Sequence, residues 1–277
     1  MSRVTRAFLA TTLVALLGAA TLHVLMLAGQ AWVWPALVHL GLYGWITGMI
    51  LTVNYHMLPV FSGRDYPAPW LLVAHWLAFT VGVASATGGL LAARPPWIVA
   101  GLALQVLASL LFIATTILLF RRGPRRRQPP PPTSAHQRAI DRVATQATRR
   151  AGLCLPLSLG ILVAAQIGGI ASTWVLAAEH LATLGWMMLM IVGVAQHVLP
   201  RYSGRAVRGP VWARTQLGLH TLALMLMVPA LGLGWSRMFA FGAVVMSVAL
   251  ALFAWTIWPA LPPDGPAGVR SWRAAHE

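Results

Sequence analysis

Long apolar runs, separated by short polar or charged segments, make up most of this chain. Eight of the runs are long enough to cross about 30 Å of hydrocarbon, which takes about 20 residues of α-helix. Pro156 and several glycines make the fifth run the least regular. The pattern predicts an all-α protein, a polytopic membrane helical bundle with eight transmembrane helices. They are expected near residues 7–29, 33–58, 68–92, 97–120, 152–170, 173–199, 211–233 and 237–260.

Part of this pattern occurs twice. The segment HLGLYGWITGMILTVNYHMLPVFSGR begins at His39, and HLATLGWMMLMIVGVAQHVLPRYSGR begins at His180, 141 positions later. The two align without a gap, and 13 of their 26 positions are identical. Each lies on the second helix of a block of four, and the even number of spans keeps both blocks in the same direction. The chain therefore predicts two parallel four-helix repeats, in which Leu-Pro ends the second helix and Ser-Gly turns the chain.

The charge of the chain predicts its orientation. Only 9% of the residues are charged, against about 25% in soluble domains, and all 20 basic residues are arginines. With the N-terminus in the cytoplasm, 18 arginines lie inside and 2 outside. The positive-inside rule then predicts that both termini are cytoplasmic. We expect the protein to be integral to a prokaryotic inner membrane. The net charge of +15 is a signal of topology and does not predict nucleic-acid binding.

A charged segment separates the two blocks. Residues 121–150 contain nine arginines and a run of four prolines. Such a segment can bury nothing, so we expect a cytoplasmic linker whose proline part is extended. The predicted units are a first four-helix unit at 1–120, this linker, a second four-helix unit at 151–262, and a cytoplasmic tail at 263–277.

Histidines carry the chemistry within the predicted helices. Cys154 is the only cysteine, which excludes an internal disulfide and thiolate clusters, and Glu179 is the one acidic residue placed in a span. An ionisable residue in a membrane is a functional candidate, and neutral imidazole binds haem iron and copper. A single such histidine can equally bond a carbonyl or a hydroxyl. Seven histidines lie in the predicted helices: His23, His39, His56, His75, His180, His197 and His220.

The sharpest hypothesis concerns the outer layer of these histidines. His39 and His180 occupy the same place in the two copies, about 8 Å into their helices at 1.5 Å per residue. Two imidazoles at matching depth predict a haem clamped from both faces. His23 reaches a similar level and is an alternative to either ligand. Trp45 and Trp186 would flank the ring, or they are ordinary core residues.

The inner layer consists of the other four histidines. His56 lies 17 positions after His39, or about 25 Å along the helix, so one haem cannot bind both. Pairs of His56 with His75 and of His197 with His220 predict a second haem or metal site. Alternatively, these side chains cap helix ends at the headgroup layer.

The repeated segments resemble helix X of the catalytic subunit of the haem–copper oxidases, cytochrome c oxidase subunit I, most nearly in its cbb-type branch. The shared features are a histidine followed by Leu, Gly and an aromatic residue, and a closing Leu-Pro-x-x-x-Gly-Arg-like turn. The resemblance covers 26 residues in each half and implies a truncated relative with two four-helix units. It also implies that His39 and His180 hold a low-spin haem b.

The chain departs from that family at residues needed for oxygen reduction. The family has a second histidine two residues before the low-spin ligand, where this chain has Leu37 and Ala178. The copper-binding histidines and their neighbouring tyrosine have no recognisable equivalent, and two four-helix units stand where the family has three. The resemblance therefore implies a respiratory-chain protein without an oxygen-reducing haem–copper centre.

Three functions are compatible with these features. The first is haem b electron transfer or ligand binding, with quinol, cytochrome c or other respiratory subunits as partners and with oxidoreductase activity left open. The second is an oxidase-like membrane protein that handles haem, copper or nitric oxide through the inner histidines. The third is a non-redox small-molecule transporter, which the scarcity of charged residues in the spans disfavours.

Overall fold

The fold is helical over nearly all of the chain that the structure describes. This computed structural model describes residues 2–125 and 134–261. Eight helical segments in those ranges are long and apolar enough to cross a membrane. The prediction of an all-α bundle with eight spans is therefore confirmed, and the arrangement of the two repeats in a membrane stays a prediction.

Each repeat contains four spans, and in each the second span includes a π-helical segment. The first repeat is formed by α1 (Arg3–Leu27), α2 (Trp34–His39), a first π segment (Leu40–Ile46), α3 (Thr47–Ser62), α4 (Pro69–Leu91) and α5 (Pro95–Arg122). The second repeat is formed by α6 (Ala135–Gly168), α7 (Ser172–His180), a second π segment (Leu181–Met188), α8 (Leu189–Ser203), α9 (Pro210–Gly232) and α10 (Ser236–Ile257). The order of α and π segments is the same in both.

The offset of the repeated segment also holds for the helix ends. The ends of α1 and α6, of α3 and α8, and of α4 and α9 are each 141 positions apart. The starts of α4 and α9 and of α5 and α10 have the same offset. Both copies leave the second span at a glycine in the left-handed region, Gly63 at φ 61° and Gly204 at φ 66°. In local structure the duplication therefore extends over all four spans.

The second span does not end at its proline, contrary to the prediction. α3 runs through Pro59 and α8 through Pro200 to the serine before the turn glycine. A proline inside a helix leaves the carbonyl four residues earlier without its amide donor. In α8 that carbonyl belongs to Gln196, and it accepts a hydrogen bond from Gln137 Nε2 at 3.3 Å. A side chain thus replaces the missing donor, and the left-handed glycine ends the helix.

The second half of the expected linker is helical, so the prediction that 121–150 buries nothing is wrong there. α6 begins at Ala135, and its apolar side chains at 140, 143, 144 and 147 are at most 2% exposed. These positions recur at the spacing of one helix face, which packs inward. Arg138 and Arg142 are exposed on other faces. The four-proline run and the tail at 263–277 lie outside the described residues.

The chain packs into two compact units that do not coincide with the two repeats. The first packing unit comprises Met1–Pro131 and Gly152–Met187, and the second comprises Pro132–Ala151 and Met188–Glu277. The later part of α6, α7 and most of the second π segment therefore pack with the first four spans. As a consequence, the first packing unit contains both His39 and His180.

Candidate functional site

Both repeat histidines stand where an α-helix changes into a π-helix. His39 is the last residue of α2 and His180 the last residue of α7, and a π segment follows each directly. π-Helices are rare and are found frequently at functional sites. The two histidines that the sequence pattern singled out therefore share an uncommon local backbone.

Glycines let the π segments pack closely on neighbouring helices. A Cβ on Gly44 would lie 3.2 Å from Ala15 in α1 and 3.1 Å from Val83 in α4. A Cβ on Gly185 would lie 2.8 Å from the Sγ of Cys154 in α6. Gly44 and Gly185 are the same position of the repeat, so each copy uses a glycine to bring its histidine-bearing span against the preceding one.

His39 is buried, with 5% of its surface exposed, and its ring is held on two sides. Gln105 Nε2 lies 3.0 Å from His39 Nε2 and within 3.4 Å of the carbonyl oxygens of Gly82 and Gly101. Because Gln105 Nε2 faces carbonyl oxygens, it is a donor. His39 Nε2 therefore accepts its hydrogen bond, and the ring proton of His39 is on Nδ1. Tyr43 stacks on the ring with 5.0 Å between the centroids.

His180 is half-buried and carries the opposite tautomer. Its Nδ1 lies 2.9 Å from the carbonyl oxygen of Leu176, which only accepts, so Nδ1 donates the ring proton. The lone pair is then on Nε2. A histidine that donates one ring N–H to a carbonyl and keeps the lone pair on the other nitrogen has the arrangement of a metal ligand.

A cavity beside His39, which we call the His39 cavity, contains about 430 Å³ of space between atoms, part of it open to the surroundings. Its polar lining is His39, Tyr43, Gln166 and Glu179. On α7 the cavity is lined by Val175 and Glu179, and His180 is about 100° further around the helix. Glu179 therefore lines the same cavity as His39, and His180 belongs to the adjacent face of α7.

His75 is fully buried and pairs with Tyr55. The Tyr55 hydroxyl bonds His75 Nδ1 and lies 3.3 Å from Thr115 Oγ1. His56 follows Tyr55 directly but is exposed, since one residue turns the helix by about 100°. The hypothesis of a second haem or metal site paired His56 with His75. The structure instead places the adjacent residue, Tyr55, against His75.

His197 belongs to an ion-pair cluster in the second packing unit. Asp141 Oδ1 lies 2.8 Å from His197 Nδ1, and Arg201 contacts the two carboxylate oxygens of Asp141 at 3.0 and 2.8 Å. Gln137 Nε2 donates to the same carboxylate at 2.9 Å. His220 is fully buried in α9. These contacts join His197 to α6, and its pairing with His220 stays a prediction.

The remaining candidates include one clear core residue. Trp186 is fully buried, donates from Nε1 to Thr47 Oγ1 at 3.0 Å, and meets the ring of Phe112 edge-on at 5.9 Å. Trp45 is half-buried, and His23 is exposed on α1. These contacts agree with the alternative that Trp186 is an ordinary core residue. They show no role for Trp45 or His23.

Sequence analysis missed three polar partners, Gln105, Tyr43 and Ser158. The Tyr43 hydroxyl lies 2.8 Å from Ser158 Oγ, which donates to the carbonyl oxygen of Ala178 at 2.8 Å. Each of the three is a single polar residue in an apolar run. A polar group buried in a membrane helix needs a partner, and this rule is the signal that could have found them.

Comparison with known protein families and with curated protein sequences finds no match to this chain. Within the described ranges, no group of three or more His, Cys, Asp or Glu side chains could hold a bare metal ion. A haem iron, in contrast, takes only one or two protein ligands. The function is therefore inferred from the geometry of the chain's own residues.

Proposed function

We propose that this protein is a haem b-binding integral membrane protein that transfers electrons, or binds a small ligand at the haem, with His39 and His180 as iron ligands. The observation that supports this most is the α-to-π junction shared by the two histidines. Two imidazoles without a thiolate or carboxylate cluster are a ligand set of haem rather than of a structural metal. Haem held in this way supplies one-electron transfer.

Each of the two histidines has a feature of a haem ligand, although on α7 the His39 cavity is lined by Glu179 and not by His180. His180 has the tautomer of a metal ligand, because its Nδ1 donates to Leu176. The His39 ring borders a cavity inside the same packing unit. Gln105 competes for His39 Nε2, so ligation by His39 requires the amide of Gln105 to turn away.

Other residues at the site set its geometry and its surroundings. Tyr43 stacks on His39 and is anchored by Ser158, which limits rotation of the imidazole. Leu90 and Leu102 on the cavity wall exclude water. Burial in an apolar wall is a lever that sets a haem potential, and the carboxyl of Glu179 offers a compensating charge or a proton-binding group on the same cavity.

The proposal includes a place in the cell and a class of partner. Apolar side chains such as Val14 (69% exposed) and Leu17 (68% exposed) cover the outside of α1, as lipid contact requires. The arginine distribution supports an orientation with both termini cytoplasmic, and the proposed location is a prokaryotic inner membrane. Quinol, cytochrome c or another respiratory subunit would be the redox partner, by the resemblance of the repeated segment. Because Leu37 and Ala178 replace the oxygen-site histidine, no oxygen reduction is proposed.

A pyridine haemochrome assay combined with metal analysis of the purified protein tests this function. We expect haem b and a low-spin reduced-minus-oxidised spectrum. His39→Ala and His180→Ala should each abolish that spectrum, because the iron loses an axial ligand. His56→Ala is the matched control: it lies on the same span as His39, is exposed, and should keep the spectrum.

Two outcomes would contradict the proposal at different levels. A normal spectrum in the His180→Ala protein would refute the ligand assignment while leaving haem binding intact. Wild-type protein purified without haem would refute the function itself. Copper found in place of haem would favour the second hypothesis, a membrane protein that handles copper.

A further inference from the structure

Within the second packing unit, α6 carries an arginine, Arg150, that contacts the middle of α9. Its Nη1 donates a hydrogen bond to Thr221 Oγ1 at 2.5 Å. Thr221 lies midway along α9 (Pro210–Gly232), about 16 Å from either end at 1.5 Å per residue. In a bilayer that α9 spans, the guanidinium group is therefore at the depth of the hydrocarbon core. Charged side chains at that depth are rare, costly and usually paired.

No carboxylate balances the charge of Arg150 within the described ranges. The ion pairs found in the described part of the second packing unit join Asp141 to His197 and Arg201. Thr221, which Arg150 contacts, is neutral, and its own hydroxyl proton goes to a carbonyl oxygen of α9. A guanidinium group has several N–H donors, no acceptor and a permanent charge. An anion from outside this unit is therefore needed to complete its bonding.

The side of α9 that carries Thr221 is on the outside of the bundle. Gly218 and Arg214 precede Thr221 by about one and two turns and are exposed, and Met225, one turn after it, is 68% exposed. A Cβ on Gly218 would meet nothing within 4 Å. Small residues on an exposed side let another membrane helix approach closely. A helix that packs on this side of α9 can therefore reach Arg150.

The fold does not require an arginine at this place. In the first repeat, Leu9 matches Arg150 and Thr80 matches Thr221. Thr80 Oγ1 lies 3.5 Å from Thr11 Oγ1 there, so two hydroxyls bridge the corresponding spans without a charge. The charge of Arg150 is thus a property of the second repeat that packing within the chain does not explain.

We propose that Arg150 binds a carboxylate in the middle of a transmembrane helix of another protein, and that this helix packs against the exposed side of α9. The carboxylate accepts N–H bonds from the guanidinium group, and the pair has no net charge in the hydrocarbon core. A second copy of this chain does not fit, because Asp141 is paired with His197 and Arg201 and Glu179 lines the His39 cavity. This association does not depend on the proposed haem function.

Depth distinguishes a helix carboxylate from a lipid phosphate. Phosphate groups lie at the membrane surface, about 15 Å from the middle of the hydrocarbon core. An Asp or Glu halfway along a spanning helix is instead at the level of Thr221. The position of the guanidinium group on α9 therefore favours a helix as the source of the anion.

Energy transfer in phosphatidylcholine vesicles tests the proposal, with the 13 tryptophans of the full chain as donors. The acceptor is a dansyl group on a polyleucine helix of about 20 residues that has one glutamate at its centre. A matched peptide has glutamine there. Wild-type protein should bind the glutamate peptide about tenfold more tightly, in line with polar contacts between model membrane helices.

Two variants locate this preference on the protein. Arg150→Leu installs the residue of the first repeat and should remove the preference for glutamate. Arg149→Leu is the matched control: Arg149 is the adjacent arginine, exposed and about 100° around α6, and the preference should remain. Haem measured on the same samples separates failure of this association from failure of the proposed haem function.

Equal binding of the two peptides by wild-type protein would overturn the proposal, as would a preference that persists in folded Arg150→Leu protein. Where Arg150→Leu fails to fold, Gly218→Leu tests the same surface, because leucine fills the open space and leaves the arginine in place. An unchanged preference in Gly218→Leu would also overturn it. Loss of the wild-type preference when phosphatidylglycerol replaces part of the phosphatidylcholine would assign Arg150 to a lipid phosphate instead.

Discussion

At matching places in the two repeats, α3 and α4 carry Tyr55 and His75, whereas α8 and α9 carry Gln196 and Gln216. Tyr55 and His75 bond each other, while the side-chain amides of both glutamines are buried without a hydrogen-bond partner in the described ranges. The end of α3 and both ends of α4 nevertheless lie 141 positions before their counterparts in α8 and α9. Apolar faces, prolines and turn glycines therefore set the backbone, and the polar interior is free to differ within it.

A similar contrast exists between the two inner histidines of the repeated segment. His56 is exposed, and His197 is bonded to Asp141. The partner comes from the amphipathic start of α6, which begins at Ala135. This part of α6 thus gives His197 an ion-pair cluster, whereas the matching His56 is exposed.

The largest effect is expected at a pair of matched glycines in the last span of each repeat. A Cβ on Gly101 would lie 2.3 Å from the backbone nitrogen of Ala86, whereas a Cβ on Gly242 would meet the Cγ of Met227 at 2.6 Å. Gly101→Ala should lower the free energy of unfolding by about 3 kcal/mol, since two backbones must separate. Gly242→Ala should cost about 1 kcal/mol or less, because methionine adapts its shape. Thermal unfolding followed by circular dichroism in detergent measures both, and equal losses would refute this difference.

The next effect concerns the ion-pair cluster. Asp141→Ala should lower the free energy of unfolding by about 2 kcal/mol, because His197 and Arg201 each lose a charge-assisted hydrogen bond. His56→Ala, at the position that matches His197, should change it by less than about 0.5 kcal/mol, as is usual for an exposed side chain. The same unfolding measurement applies. A loss in His56→Ala as large as in Asp141→Ala would mean that the cluster does not distinguish the repeats.

The smallest effect is a change of opposite sign at the matched interior pairs. Tyr55→Phe should lower the free energy of unfolding by about 1 kcal/mol, because His75 and Thr115 lose a buried hydrogen bond. Gln216→Leu should raise it by about 1 kcal/mol, because an unpaired buried amide is replaced by an apolar group of similar size. Chemical denaturation, with its finer resolution of free energy, is the suitable measurement. Destabilisation by Gln216→Leu would show that this amide has a partner.

The spans and the duplication could be predicted from the sequence because both depend on patterns along one dimension. Apolar length identifies a span, and an ungapped match identifies a repeat. The helical start of α6 was missed because arginines and prolines dominate the composition of 121–150, which hides the inward face at 140, 143, 144 and 147. Helix continuation past Pro59 was missed because the outcome depends on neighbouring groups, such as the Gln137 side chain at the matching place in α8.

The site was harder to predict because side-chain direction around a helix matters as much as depth. Depth correctly put His56 near the level of His75, yet the adjacent residue Tyr55 makes the contact. In the same way Glu179, not His180, lines the His39 cavity. One residue corresponds to about 100° of rotation, and a π segment changes that relation further along the helix. No periodic pattern in the sequence marks where such a segment begins.

The π segments also bear on the history of the chain. A π turn arises where a helix holds one more residue than its α-helical hydrogen bonds accommodate, and both copies hold it directly after the same histidine. Two independent insertions at one position are far less economical than a single insertion in a common ancestor. A common origin of the two halves therefore accounts for the shared π segment with one insertion. The distorted helix beside its histidine is thus inherited in each half together with the identical residues of the repeated segment.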